Sequence, residues 1–118
     1  MNSKATFTVE FSLQDGVQQA FKNKLDEAIA LVEASEPGAL NYQFYFNEDE
    51  TKCYVLEQYI DSAAMMVHLA NVSTILNEML QISTVTRLEI FGAVSEEAHA
   101  FASSLGAEFY TYYDGFTR

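Results

Sequence analysis

The sequence predicts an α+β protein, a split βαβ arrangement in which helices cover an antiparallel sheet. Three observations predict it. Phe7, Val9, Phe11 and Leu13 alternate with Thr6, Thr8, Glu10 and Ser12, the period-two pattern of a strand with one face on a core. Val17, Phe21, Leu25, Ile29 and Val32 then recur at helical spacing, a stripe that needs an apolar sheet to cover. Two apolar runs, Leu40 to Phe46 and Cys53 to Ile60, flank the polar Asn47-Glu48-Asp49-Glu50-Thr51, which has the character of a hairpin turn.

Taken in order, the first strand ends where its alternation stops at Asp15. Asp15 followed by Gln18 predicts the cap of the first helix. Glu36-Pro37-Gly38 ends that helix, because proline cannot continue it and glycine allows the turn. In the hairpin, Tyr42, Phe44 and Phe46 oppose Tyr45, while Val55 and Tyr59 oppose Leu56 and Ile60. A sheet apolar on both faces needs two covers; helices supply one, and a partner subunit is the economical source of the other. Asp61 predicts the cap of a second helical stretch through His68, broken near Asn71 and continued along Ile75, Leu76, Met79 and Leu80. Thr84 to Val94 reads as a fourth strand. Ser95 opens a short helix with Ala98, Phe101, Ala102 and Leu105 on one face, stopped by Gly106, and Phe109 to Tyr113 reads as a last strand. This order is that of ferredoxin-like folds, with one helix and one strand added.

The chain has 118 residues, 49% hydrophobic and 19% charged, with one proline and no low-complexity tract, so a single domain spanning residues 1–118 is expected. At this length about two-thirds of the unfolded surface can be buried, enough for a core without disulfides or metal staples. The formal charge of −11 argues against nucleic acid and against an anionic membrane, both of which would repel the surface. Cys53 is the one cysteine, which excludes an internal disulfide and a cysteine-based zinc site. The opening residues lack an apolar leader and no stretch reaches the roughly 18 apolar residues of a membrane span, so a cytoplasmic protein is expected.

Glu36-Pro37-Gly38, then Leu40 and Tyr42, then Glu57, Tyr59, Asp61, Ala64 and His68 form a pattern over residues 36–68. It resembles the antibiotic biosynthesis monooxygenase family, small ferredoxin-like α+β proteins. The resemblance implies a dimeric α+β barrel, in which two sheets pair face to face and each subunit keeps a pocket between sheet and helices. It implies catalysis with oxygen and no separate redox cofactor, the substrate supplying the electrons. Haem-degrading relatives in the wider superfamily carry an asparagine near the end of the first strand, a tryptophan on the second helix and a histidine further on. Here Val9 and Glu10 stand at the first point, His68 where the tryptophan would lie and Glu78 near the haem-ligand position, and the chain has no tryptophan. No haem and no other cofactor is therefore expected.

His68 is the sharpest candidate. Met65, Val72 and Ile75 lie one or two turns from it, so it either projects into an apolar cavity as a base or hydrogen-bonding group, or is tied to a carboxylate such as Glu57 or Asp61. Phe7, Val9, Met65, Val72, Ile75 and Met79 are the expected ligand-binding wall, and methionine and phenylalanine around one histidine suit a small apolar molecule better than a sugar or phosphate. His99 lies off its helix stripe and reads as solvated, and Cys53 as a small buried hydrophobe. The two histidines make no metal motif. Arg87 and Glu89 share one strand face, so Arg87 either clamps a ligand carboxylate or pairs within the sheet or dimer. The aromatic tail from Phe109 to Phe116 reads as subunit interface. Three functions follow: a cofactor-independent monooxygenase acting on an apolar aromatic or quinol, a non-catalytic module for an apolar, fatty-acyl-like ligand, and a homodimer whose pocket is merely core.

Overall fold

A computed structural model describes residues 3–118; Met1 and Asn2, which belong to the opening segment considered in the sequence analysis, lie outside the described residues. The elements are β1 (Ala5–Leu13), α1 (Gln18–Ser35), β2 (Ala39–Phe46), β3 (Lys52–Tyr59), α2 (Ser62–Asn71), α3 (Ser73–Met79), β4 (Ser83–Phe91), α4 (Glu96–Ser104) and β5 (Glu108–Tyr110). The sheet runs β2-β3-β1-β4-β5, antiparallel except for the parallel β4–β5 pair. This is the ferredoxin-like α+β fold with one helix and one short strand appended.

The alternation of β1 works as expected: Ala5, Phe7, Val9, Phe11 and Leu13 are buried, against helices on one side of the sheet. Opposite Phe7 stand Glu57 on β3 and Ile90 on β4, and opposite Val9 stand Val55 and Leu88. One face of the sheet is thus continuous across four strands, with Tyr42 and Phe44 of β2 next to Glu57 and Val55. A register shift between Glu10 and Phe11 accommodates Thr86, whose hydroxyl donates to the Glu10 carboxylate at 2.8 Å.

Several local expectations are corrected. Asp15 does not cap α1; Val17 holds the cap position without a side-chain bond, because Gly16 at φ 75° reverses the chain between them. Gln18 instead reaches across to the backbone carbonyl of Glu50. The buried stripe of α1 is Phe21, Leu25, Ala28 and Val32, with Ile29 36% exposed. Steps of four exceed the 3.6-residue turn, so a run of them drifts off the core-facing line and the alternative step to Ala28 keeps to it. β4 stops at Phe91, not Val94, because Gly92 has φ 102° and its N–H bonds the Tyr110 carbonyl. β5 ends at Tyr110, three residues before the expected end. The expected caps Asp61 and Ser95 do accept from the backbone N–H of Ala64 and Ala98, and the break in the second helical stretch falls at Val72.

Gly38 has a use other than turn freedom. A methyl group there would lie 2.8 Å from Cβ of Ala64, and its own carbonyl accepts from Ile60 N–H at 2.9 Å. The start of β2 and the first turn of α2 are therefore packed backbone to side chain, which sets the depth at which α2 lies on the sheet. Gly38→Ala should destabilise the fold by about 1 to 3 kcal/mol through overpacking, measured by chemical denaturation; a change near zero would mean that α2 moves freely against β2.

Candidate functional site

The site grows from a local oddity of β3. Cys53, Val55, Glu57 and Tyr59 share the face toward the helices, so a carboxylate stands in a row of otherwise core residues. Glu57 is 5% exposed. Directly above it lies His68, in the last turn of α2 and 2% exposed. Its Nε2 is 3.1 Å from Glu57 Oε1, and its Nδ1 is 3.0 Å from Glu36 Oε1. Glu36 is the residue that ends α1, where its buried carboxylate also accepts from Asn71 Nδ2 at 2.8 Å. Tyr59 completes the set, its hydroxyl donating to Glu57 Oε1 at 2.7 Å.

An imidazole with a carboxylate on each nitrogen is held most favourably as the imidazolium, when both nitrogens donate. Burial by itself disfavours that charge, but the hydrogen bond and charge of Glu57, and then those of Glu36, outweigh it, so the His68 pKa is raised above its ordinary value. The carbonyl end of the α2 dipole acts in the same direction. The rings of Tyr42 and Tyr59, each 5.0 Å from the imidazole, close the cage. Burial, followed by the charge of Glu57, drives both tyrosine pKa values up, so Tyr59 stays a donor.

The cluster forms one end of a cavity of about 290 Å³ between sheet and helices. Phe7 and Val9 of β1, Met65 and Val72 at α2, and Ile75 and Met79 of α3 all line it, together with His68. The seven side chains singled out from the sequence therefore surround one space. Tyr42, Glu57 and His68 are its polar lining side chains, on β2, β3 and α2. Its more exposed lining, Leu80, Val85, Phe101 and Leu105, comes from the end of α3, from β4 and from α4. The mouth is thus at the β4–α4 side and the polar end lies deep.

Sequence reasoning named Glu57 as a partner of His68 but not Glu36, which reads only as a helix stop. Asp61, the other carboxylate considered, is spent on the N-cap of α2. His68 lies in the last turn of α2. Glu57 carried a signal of its own, since the period-two register of Val55 and Tyr59 assigns it to the core face. Glu36 carried none.

The remaining candidates lie elsewhere. Arg87 donates to Glu89 at 2.7 Å on the opposite face of the sheet, where Thr8 and Tyr54 also donate to Glu89. It pairs within the sheet and is not among the residues that line the cavity. Cys53 is buried, and burial pushes its thiol up to about 12. His99 is exposed and stacks on Phe109 with ring centroids 3.9 Å apart. Glu78, weighed above as lying near a haem-ligand position, pairs with Lys24 at 3.3 Å on the surface. Among the described residues no group of three His, Cys, Asp or Glu side chains is placed to hold a metal ion, and no helix is long and apolar enough to cross a membrane.

A family model described as Antibiotic biosynthesis monooxygenase matches residues 5–73. No curated protein matches the chain in sequence. Among solved structures, MupZ from Pseudomonas fluorescens is similar at 23% identity and a TM-score of 0.84, covering 99% of this chain and 96% of its own. SnoaB from Streptomyces nogalater, a cofactor-independent oxygenase, is similar at 19% identity and a TM-score of 0.67, covering 79% of this chain and 95% of its own. Rv0793 from Mycobacterium tuberculosis is similar at 18% identity and a TM-score of 0.66, covering 80% and 98%. The similarity to MupZ extends through nearly the whole chain, whereas the family match ends in α3.

Because the folded pKa of His68 is raised, its stabilising contribution is complete below the ordinary value of about 6.5 and is lost as pH rises through the folded value. His68→Gln should therefore cost about 3 to 5 kcal/mol near pH 6, where an ion pair is broken and buried carboxylates are stranded, and less at pH 9. Thermal unfolding of both proteins across this range checks it; a gap that widens toward pH 9 would mean that His68 is buried neutral.

Proposed function

The chain belongs to the antibiotic biosynthesis monooxygenase family, and on that premise we propose that it is a cofactor-independent monooxygenase acting on an apolar aromatic or quinol-like substrate. The observation that carries this reading is the His68 cluster: a buried set of proton-exchanging groups at the closed end of an otherwise apolar cavity. An apolar ligand alone has no need of it. Buried ion pairs contribute little net stability relative to well-packed apolar residues, so a carrier for a fatty-acyl-like ligand would be as well served by a leucine at position 68.

In this reading the cavity seats an aromatic substrate along Phe7, Val9, Met65, Val72, Ile75 and Met79. The cluster around His68 removes a hydroxyl proton, which makes the ring electron-rich enough to reduce dioxygen. For a phenol of the 1-naphthol kind, the ring loses two hydrogens and four electrons and becomes the quinone. One atom of O2 becomes the new carbonyl oxygen, and the other leaves with both hydrogens as water. This reading takes residues 1–118 as one domain and the protein as cytoplasmic.

The reading also takes the protein to be a homodimer paired through the sheet face opposite the helices. Tyr45 and Leu56 on that face, Leu40 at its edge and Ile60 just beyond β3 are exposed in the single chain, as are Tyr113 and Phe116 of the tail. Leaving such a surface in water is unfavourable at about 25 cal/mol per Å² of apolar area. Thr8 and Glu89, at the centre of the same face, are already nearly buried and mutually bonded, so the polar groups there enter an interface satisfied. Sedimentation at low micromolar concentration should give twice the chain mass; a well-folded monomer would remove the dimer.

Oxygen consumption with 1-naphthol as model substrate tests the activity. A base contributes about 10² to 10⁴-fold to the rate, whereas one hydrogen bond is worth about 0.5 to 1.5 kcal/mol of binding. His68→Ala leaves the base of the cluster without the group that holds it, so it should cut turnover by about 10²-fold or more and affinity by about tenfold at most. Met79→Asp should abolish binding, since it places an unpaired charge in the cavity. Equal turnover by native protein and His68→Ala would return the protein to the carrier reading.

A further inference from the structure

The chemistry of the closed end fixes more than the presence of a base. Both ring nitrogens of His68 are occupied, Nδ1 by Glu36 and Nε2 by Glu57, so the imidazole offers no free lone pair to anything in the cavity. Glu36 is not part of the cavity wall, whereas Glu57 is. The bonds from Tyr59 and from His68 both fall on Glu57 Oε1, and Oε2 accepts none from the described residues. That oxygen is the one unused strong acceptor at the deep end. No lysine or arginine is among the lining residues, and two carboxylates face a single imidazole, so the closed end carries no surplus positive charge.

We infer that Glu57 is the residue that meets the substrate, accepting the hydroxyl proton of a neutral hydroxylated aromatic molecule at Oε2, and that the cavity rejects carboxylates. The inference deepens the monooxygenase reading by naming the substrate class of the same site, and it rests on that reading for the step that follows. The substrate O–H bond breaks, the proton forms a new O–H bond on Glu57, and the electron pair stays on the phenolate oxygen. Charge is conserved: one carboxylate becomes neutral as one phenolate forms. His68 is then a positioning residue, which holds Glu57 Oε1 so that Oε2 faces the cavity. A phenol satisfies the acceptor with its own donor. A carboxylate of the same size would bring a second negative charge against Glu57 with no cation to receive it, and a methyl ether would bury Oε2 without a partner.

Three ligands of nearly equal apolar bulk separate these cases on the native protein at pH 7.5: 1-naphthol, 1-methoxynaphthalene and 1-naphthoate, with dissociation constants measured by equilibrium dialysis. The naphthol should bind at least about tenfold more tightly than either of the others, the value of one hydrogen bond to a charged group. In Glu57→Gln, whose amide keeps the shape without the charge, the naphthoate should come to within about threefold of the naphthol. Naphthoate binding as well as naphthol to the native protein, ether and naphthol binding equally, or no saturable binding of any of the three would each overturn the inference. So would a folded Glu57→Gln that keeps the native preference. If circular dichroism shows that variant unfolded, the three-ligand series on the native protein decides alone. Oxygen consumption, followed in parallel, separates the two readings: a hydroxyl preference without oxygen uptake removes the oxygenase and leaves the ligand class standing, while uptake with carboxylates accepted does the reverse.

Discussion

The fold depends on a single imidazole held by two carboxylates from different elements. Glu36 ends α1, Glu57 sits in the middle of β3, and His68 ends α2, so the bonds from its two nitrogens tie the two main helices and the sheet together at one point. Each charge in that set would be costly alone in the interior, where stranding one partner of an ion pair is worth several kcal/mol. Together they are satisfied, since Tyr59 donates to one carboxylate and Asn71 to the other. Every polar side-chain atom among the described residues that is fully shut off from solvent has a partner. The arrangement is therefore all or nothing, and it holds Glu57 in one orientation at the cavity wall.

The cavity follows from how the helices rest on this anchor. Gly38 packed on Ala64 fixes the depth of α2 at one end, where a side chain would push the helix away. Ala28 on α1 and Ala102 on α4 line the space with methyl groups where larger residues would fill it. Phenylalanine and methionine supply a smooth, polarizable wall, and the polar end is confined to the side of the sheet where β2 and β3 lie. α4 caps the opposite side with Phe101 and Leu105, so the appended helix shapes the entrance while the core of the fold shapes the floor. A site with one polar end and a long apolar approach suits the hydroxylated aromatic molecule of the proposed function, whose ring it would leave in dry surroundings.

The two faces of the sheet divide the work. Glu57 is the charged side chain of the inner face, with the hydroxyl groups of Tyr42 and Tyr59 on the same face. The outer face mixes Leu56 and Tyr45 with a bonded polar group in which Glu89 accepts from Arg87, Thr8 and Tyr54. The bond from Arg87, followed by those from Thr8 and Tyr54, lowers the Glu89 pKa despite its shielding from solvent. Arginine on the outer face and none at the cavity is the same economy seen from two sides: the cations of a chain with a formal charge of −11 are used on its surface, and the interior carboxylates are answered by histidine.

The sequence by itself determined the architecture, because each element is written in local periodicity and punctuation. Alternation in β1, the polar turn between β2 and β3, the caps Asp61 and Ser95 and the stop at Pro37 are short-range effects that a linear reading captures. It also determined the wall of the cavity, since Phe7, Val9, Met65, Val72, Ile75 and Met79 lie on faces whose direction follows from period two or 3.6. It went astray where geometry accumulates or where one glycine overrides a pattern: Ile29 drifts off the α1 stripe, Gly16 removes Asp15 from the cap, and Gly92 ends β4 early. What only the tertiary structure decided is the partner of His68. Glu36 is 32 positions away and sits in a helix end whose local sequence explains it fully as a terminator. Its meeting with His68 is a consequence of how α1 and α2 cross the same sheet. Electrostatic pairing depends on distance in space, and periodicity along a chain carries no record of which helix end will lie beside which.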